Sequence, residues 1–142
     1  IVVDTHGKLR WQADEADGHP LLCIVSEEVP EAYLETLRQQ GISWIAAGKG
    51  RIDLPKAMEA LSEHFGVKRL AIVGGGHICG GFLEAGLIDE VSIMVAPGID
   101  GRKGQTAVFD GIADTGCNPF RLKLESVEQW PTDIVWLRYK MK

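Results

Sequence analysis

Short apolar runs alternate with amphipathic stretches along the first half of the chain. Residues 21–25 form a continuous apolar run bounded by turn residues, which is typical of a strand buried on both faces of a parallel sheet. A helix is expected after it, and Gly41 suits the end of that helix. Residues 42–46 predict the next strand. A second helix is expected between Asp53, as the capping residue, and Gly66, which stops it.

The same alternation continues in the second half of the chain. Residues 69–73 predict another buried strand, which three glycines follow directly, and a helix is expected over residues 77–85. Residues 90–96 predict a further strand. Residues 120–127 and 134–139 alternate apolar and polar side chains around a turn, so they predict an antiparallel hairpin.

This order of elements predicts a three-layer α/β domain that spans residues 1–142. Its central sheet is expected to be mostly parallel, with the antiparallel hairpin at the C-terminal end. Residues 1–4 already have the character of a strand. Because a native domain rarely begins inside a strand, we expect the N-terminal part of the domain to be missing from this chain and to be either lost or present as a separate chain.

The composition narrows the classes of function. With 142 residues, 45% of them hydrophobic and 25% charged, the chain has the profile of a globular protein. Its net charge of -5 argues against binding nucleic acid or anionic membranes through bulk charge. Three scattered cysteines, Cys23, Cys79 and Cys117, indicate neither a disulfide framework nor a metal site. A cytoplasmic location is therefore expected.

The glycine turn at residues 74–76 is the strongest candidate for chemistry. It joins the predicted strand at residues 69–73 to a helix, and glycines there let a ligand approach the main chain. The N–H groups and dipole of a helix start favour an anion, most often phosphate. A purely structural tight turn would have the same sequence, so both interpretations stay open at this point.

A dinucleotide-binding Rossmann unit is the obvious alternative for this turn. That fold places its glycine turn after the first strand and an acidic residue at the end of the next strand. Here two strand–helix units precede the turn, and Asp89 and Glu90 lie before the next strand rather than after it. A Rossmann unit is therefore disfavoured.

The residues around the turn resemble a known superfamily. The string VGGGHI at residues 73–78 resembles the pyrophosphate-binding loop of dihydrofolate reductases. The longer string GGG-x3-G-x-FL-x-AGLIDEV at residues 74–91 is more similar to one branch, the C-terminal reductase domain of the bifunctional deaminase-reductase of riboflavin biosynthesis. The resemblance spans nearly the whole chain. It implies a dihydrofolate-reductase-like fold, NADPH as cofactor, and a homodimer.

The resemblance also implies seven cofactor-binding positions. Four of them lie on the glycine turn and would hold the pyrophosphate: Gly75, Gly76, His77 and Ile78. Three would flank the adenosine ribose and its phosphate: Asp4 and Thr5 at the end of the opening strand, and Ser26 after the strand at residues 21–25. For Ser26, an ordinary role as a helix N-cap is the competing interpretation.

The implied activity is an NADPH-dependent reduction of a C=N or masked carbonyl group in a pyrimidine- or pterin-like small molecule. Two departures qualify it. The riboflavin reductases carry a carboxylate that contacts the substrate's ribose where this chain has Gly74. The family's N-terminal segment beside the nicotinamide has no counterpart here, so no catalytic residue is assigned. A catalytically silent binding or assembly module with the same fold is the alternative.

Overall fold

A computed structural model describes residues 1–12, 15–16, 18–113 and 119–142 and divides into two units, Ile1–Leu70 and Ala71–Lys142. The elements of the first unit are β1 (Val2–Val3), β2 (Glu15–Ala16), β3 (His19–Pro20), β4 (Leu22–Val25), α1 (Glu31–Gln39), β5 (Ser43–Ala46) and α2 (Leu54–Phe65). Those of the second unit are α3 (Gly76–Glu84), β6 (Glu90–Val95), β7 (Leu122–Gln129) and β8 (Val135–Met141).

The first unit is built on a parallel sheet in the order β1-β4-β5. All four residues of the central strand β4 are buried. Because side chains alternate along a strand, Leu22 and Ile24 pack with α2, whereas Cys23 and Val25 pack with Leu37 of α1. The two helices therefore cover opposite faces of the sheet. The predicted buried strand and the three-layer arrangement are confirmed in this unit.

Helix α2 begins and ends where the sequence predicts. The Asp53 carboxylate accepts a hydrogen bond from the N–H of Lys56 at 3.1 Å, and Pro55 lies in the first turn. The helix ends before Gly66. Its buried residues are Ala57 and Leu61, which lie one turn apart on the same face. The capping residues and the apolar positions therefore indicate the same helix.

The second unit contains an antiparallel sheet in the order β6-β8-β7. Strands β7 and β8 form the predicted C-terminal hairpin, and each begins and ends one or two residues later than the sequence pattern indicated. At the turn, the N–H of Trp130 donates to the carbonyl of Ile134 at 2.9 Å. The register shifts between Leu124 and Ser126, which marks a bulge in β7. The α/β class with a parallel sheet and a C-terminal antiparallel hairpin is confirmed.

The predicted strand at residues 69–73 is wrong. Residues 66–75 have neither helix nor strand, and the boundary between the two units falls after Leu70. Val67 and Leu70 pack against the core between the parallel sheet and α2, while Val73 is 95% exposed. An apolar run becomes a strand only where a neighbouring strand pairs with its backbone, and none of the ladders among the described residues includes this run.

Within the described ranges, no helix is both long and apolar enough to cross a membrane. The same part of the chain holds no group of three or more His, Cys, Asp or Glu side chains placed to hold a metal ion. Cys117 lies outside the described residues.

A cavity in the core between the sheet and α2 should lower the free energy of unfolding. Leu61 is 1% exposed, so Leu61→Ala should lower the free energy of unfolding by about 2–5 kcal/mol. Leu124, which is 51% exposed, is a matched control, and Leu124→Ala should change it by less than about 0.5 kcal/mol. Urea unfolding of both variants checks this. Equal effects of the two substitutions would contradict the assigned core.

Candidate functional site

The first three predicted site residues lie together at the carboxyl edge of the parallel sheet. Asp4 and Thr5 follow β1, and Ser26 follows β4. The N–H of Asp4 donates to the carbonyl of Ile24 at 2.9 Å, and the N–H of Ser26 donates to the carbonyl of Thr5 at 3.3 Å. In open α/β sheets, ligands bind outside the carboxyl ends of the strands, so this is the edge where a ligand is expected.

The Asp4 side chain is buried and engaged within the protein. Its carboxylate accepts hydrogen bonds from the N–H groups of Lys8 at 3.0 Å and Leu9 at 2.8 Å. It also accepts one from the Tyr33 hydroxyl at 2.8 Å, and that hydroxyl in turn accepts one from the indole N–H of Trp11 at 2.6 Å. Asp4 thus anchors the segment that follows β1 onto helix α1.

These contacts determine how Asp4 and its neighbours ionise. Burial alone would raise the pKa of Asp4, but the hydrogen bonds that its carboxylate accepts outweigh burial and hold the pKa below its usual range. Burial also raises the pKa of the Tyr33 hydroxyl, and it raises the pKa of the Cys23 thiol to about 11. Cys23 is therefore a protonated, unreactive thiol at neutral pH.

Ser26 does not cap helix α1. The helix begins at Glu31, and Pro30 holds the cap position without a side-chain hydrogen bond. The Ser26 hydroxyl instead accepts a hydrogen bond from the N–H of Glu28 at 3.3 Å, and the residue is 2% exposed. The helix-cap interpretation is wrong, because the turn after β4 runs several residues further before the helix starts.

The other four predicted residues lie in the second unit, at the start of α3. Gly75 is the N-cap of this helix, and its carbonyl accepts hydrogen bonds from the N–H groups of Ile78 at 2.9 Å and Cys79 at 3.1 Å. The peptide bond between Gly74 and Gly75 is cis. A Cβ added at Gly75 would meet no atom within 4 Å. The backbone is therefore open to an approaching ligand at this position, which fits a pyrophosphate.

Gly76 has a different role from Gly75. A Cβ at Gly76 would collide with the carbonyl oxygen of Ala107, and one at Gly80 would collide with the carbonyl oxygen of Asp110. The N–H of Asp110 also donates to the carbonyl of Gly76 at 3.0 Å. The two glycines thus allow the loop at residues 107–111 to lie directly on one face of α3.

The contact of this loop with α3 was not predicted from the sequence, although a signal for it exists. Glycines four residues apart share one face of a helix, so the spacing of Gly76 and Gly80 indicates a close backbone contact there. The same loop contacts His77, whose Nδ1 lies 4.0 Å from an Asp110 carboxylate oxygen, and the His77 side chain is 74% exposed. Ile78, the last predicted residue, is half-buried.

Comparison with protein families and with individual proteins adds to this geometry. The family model described as the RibD C-terminal domain matches residues 1–136. A 2,5-diamino-6-ribosylamino-4(3H)-pyrimidinone 5′-phosphate reductase from Methanothermobacter thermautotrophicus is 31% identical over 147 residues, which cover 100% of this chain and 65% of that protein. The reductase of the same name from Archaeoglobus fulgidus is 29% identical over 116 residues, which cover 78% of this chain and 50% of that protein.

Solved structures show the same fold. A pyrimidine reductase-like protein from Corynebacterium diphtheriae has a TM-score of 0.79 and 22% identity, and the match covers 99% of this chain and 59% of that one. RibD from Acinetobacter baumannii has a TM-score of 0.77 at 22% identity, covering 99% of this chain and 37% of that one. The dihydrofolate-reductase-like fold expected from the sequence is confirmed. The chain spans less than two thirds of the length of each of these proteins.

The hydrogen bonds of Asp4 predict a dependence of stability on pH. Because its pKa in the folded state lies below the unfolded value, Asp4 stabilises the protein above about pH 4, and this contribution is lost as the pH falls further. At neutral pH, Asp4→Asn should lower the free energy of unfolding by about 1–3 kcal/mol, since the amide presents a donor where a second acceptor is needed.

Urea unfolding of the wild type and of Asp4→Asn at pH 7 and pH 3 checks this prediction. The difference between the two proteins should shrink at pH 3. The exposed Asp89 provides the control, and Asp89→Asn should leave stability nearly unchanged at both pH values. A difference between wild type and Asp4→Asn that stays constant with pH would contradict the assigned role of the carboxylate.

Proposed function

Because the chain belongs to the RibD C-terminal domain family, we propose that it acts as an NADPH-dependent reductase of the riboflavin-pathway type. The substrate class proposed is a phosphorylated ribosylaminopyrimidine, the class named in the two similar reductases. In such a compound the sugar carbon bonded to the amine is a masked carbonyl, because ring opening turns it into a C=N group. Hydride addition to that carbon is the proposed reaction.

The observation that carries the proposal is the open backbone at Gly75, on a helix start within the matched family. A helix N-terminus attracts an anion through its N–H groups and its dipole, and the absence of a side chain lets phosphate oxygens reach those groups. We assign the pyrophosphate contact to Gly75, with Gly76, His77 and Ile78 completing the first turn. Gly76 contributes through its backbone alone, since its Cα faces the loop at residues 107–111.

In the first unit, we assign the adenosine ribose and its phosphate to the strand ends. Ser26 supplies one hydroxyl after β4, and Thr5 supplies a second hydroxyl after the neighbouring strand β1. Asp4 acts on the cofactor chiefly by fixing the segment that carries Thr5, because its carboxylate is already occupied by Lys8, Leu9 and Tyr33.

NADPH supplies the hydride when it is bound. The protein's own task is therefore to hold the nicotinamide close to the substrate carbon that receives the hydride, and to exclude water. Such a site needs no paired acid and base among the described residues. Gly74 adds a constraint on the substrate. Its φ of +117° is strained for any residue with a side chain, so no carboxylate can be supplied from this position without moving the turn. The substrate's sugar must then take its hydrogen bonds from other groups.

We further propose a homodimer in the cytoplasm, as the resemblance implies. The thiols of Cys23 and Cys79 are both free and buried, which agrees with a reducing compartment.

Turnover tests the proposed function directly. The protein should oxidise NADPH in the presence of 2,5-diamino-6-ribosylamino-4(3H)-pyrimidinone 5′-phosphate and should be much less active on dihydrofolate. The loss of NADPH absorbance measures both rates. Product identity is checked by mass spectrometry, which should show the gain of two hydrogens. Cofactor binding without turnover of either compound would instead indicate a catalytically silent module.

Substitutions in the glycine turn should separate its two roles. Gly75→Ala should weaken NADPH binding about tenfold or more, because one charge-assisted hydrogen bond contributes about 1.5–3 kcal/mol, while the melting temperature stays close to that of the wild type. Gly76→Ala should lower the melting temperature sharply, since its Cβ would collide with the backbone of Ala107.

Fluorescence titration with NADPH and thermal melts measure both effects. Gly98 provides a matched control, because a Cβ there meets no atom within 4 Å and lies outside the turn. Gly98→Ala should change neither property. Unchanged NADPH affinity in well-folded Gly75→Ala would show that the turn is only structural.

A further inference from the structure

Strand β7 is an unpaired edge of the antiparallel sheet. In the order β6-β8-β7 it bonds to β8 on one side, and within the described residues no strand bonds to its other side. Three of its apolar side chains are also exposed, those of Leu122, Leu124 and Val127. An open edge of eight residues with exposed apolar side chains is a template for pairing with another chain.

The pairing with β8 determines which backbone groups of β7 point outward. At one end, the N–H of Lys142 donates to the carbonyl of Arg121 at 3.1 Å. At the other end, the N–H of Trp130 donates to the carbonyl of Ile134 at 2.9 Å. Every second residue of an antiparallel strand bonds to a given neighbour, and the bulge resets this alternation at Glu125. The N–H and C=O groups that point away from β8 therefore belong to four residues, Leu122, Leu124, Val127 and Gln129.

Two charged residues of β7 form no ion pair with another of the residues that the structure describes. Lys123 lies opposite Lys140, whose ammonium already binds the Glu125 carboxylate at 2.7 Å. Glu128 lies opposite Trp136, which carries no charge. Both Lys123 and Glu128 are exposed. The strand thus presents a cation near its start and an anion near its end, on the same face of the sheet.

We propose that β7 pairs with β7 of a second copy of this chain, antiparallel and about a two-fold axis that passes between Glu125 and Ser126. This inference rests on the homodimer put forward with the proposed function, and it identifies the surface of that dimer. In this register Lys123 of each copy faces Glu128 of the other. A two-fold interface must be self-complementary, and opposite charges at equal distances from the axis meet that requirement twice.

The faces and the backbone bonds of β7 favour this register. Residues opposite each other in a sheet share a face, and Lys123 and Glu128 do so. Leu124 and Val127, which this register also sets opposite each other, share the other face. Their N–H and C=O groups both point outward, so the two residues can exchange backbone hydrogen bonds. A shift by one residue would set Lys123 against Gln129, which lies on the opposite face.

The charges contribute more to this register than the apolar side chains do. Lys123 and Glu128 form a pair without backbone hydrogen bonds, and in such pairs the side chains lie closest together. Leu124 and Val127 form a hydrogen-bonded pair, in which the side chains lie further apart, so their contact adds little. Strand β6, the other edge of this sheet, has a single charged residue, Glu90, and cannot set opposite charges against a second β6.

Exchange of the two charges tests this pairing. Sedimentation equilibrium gives the dimer dissociation constants of the wild type, Lys123→Glu, Glu128→Lys and the double variant. Each single variant sets two like-charged pairs across the axis, so its dissociation constant should rise about tenfold or more. The double variant restores two opposite pairs and should return to within about threefold of the wild type. Lys103→Glu makes the same charge change at an exposed lysine outside β7, and it should dimerise like the wild type.

A wild-type dimer that both single variants leave intact would overturn the pairing through β7. A wild-type monomer would overturn it too, and Lys123 would then be an edge-strand lysine of the kind that prevents such pairing. A double variant that stays as weak as the single variants, with the melting temperature of the wild type, would overturn the register. Turnover of NADPH by the wild type is measured separately, so the proposed reductase function stands or fails independently of β7.

Discussion

The complete burial of one short strand, β4, is the constraint on which the first unit depends. Leu22 and Ile24 face one helix, and Cys23 and Val25 face the other, so both layers of the unit are packed through four consecutive residues. Because both faces of β4 are covered, its polar backbone is satisfied only by the strands beside it, and the register of β1 and β5 is fixed accordingly. The ends of these three strands then lie side by side, which brings Ser26 next to Thr5 and next to the loop that follows β5.

Two kinds of glycine occur at the start of α3, and only the geometry distinguishes them. Gly75 faces open space, while Gly76 and Gly80 face the backbone of the loop at residues 107–111. The glycine string that resembles a phosphate-binding loop therefore combines a ligand-accessible position with a packing requirement. A side chain at Gly76 or Gly80 would separate the loop from the helix, so the packing role requires these two glycines whether or not a ligand binds.

Much of the fold could be predicted from local signals, because those signals coincide with the packing. In β4 and α2, the local signals in the sequence (an apolar run, and a capping residue with an apolar face) favour the same structure as the packing of the unit. Both elements were therefore predicted nearly to the residue. Residues 69–73 have the same composition as a buried strand, yet a strand also needs a partner, and composition does not reveal one. The hydrogen-bond network that joins Asp4, Tyr33 and Trp11 could not be predicted from local patterns either, since its members lie up to 29 residues apart in sequence. The seven predicted cofactor-binding positions came from a resemblance rather than from a pattern, and they stay predictions.

The backbone at Gly74 limits which residues this position can hold. With φ at +117°, the backbone at this position has a conformation that residues with a side chain rarely adopt. A carboxylate at residue 74 would therefore require a different turn, and a different turn would move Gly75, whose exposed backbone is the part of α3 open to a ligand. Under the proposed function, Gly74 and Gly75 together determine both the backbone that is open to the cofactor and the side chains available to the substrate at this turn. In the proposed reductase, the hydrogen bonds to the substrate's sugar would therefore come from residues outside this turn.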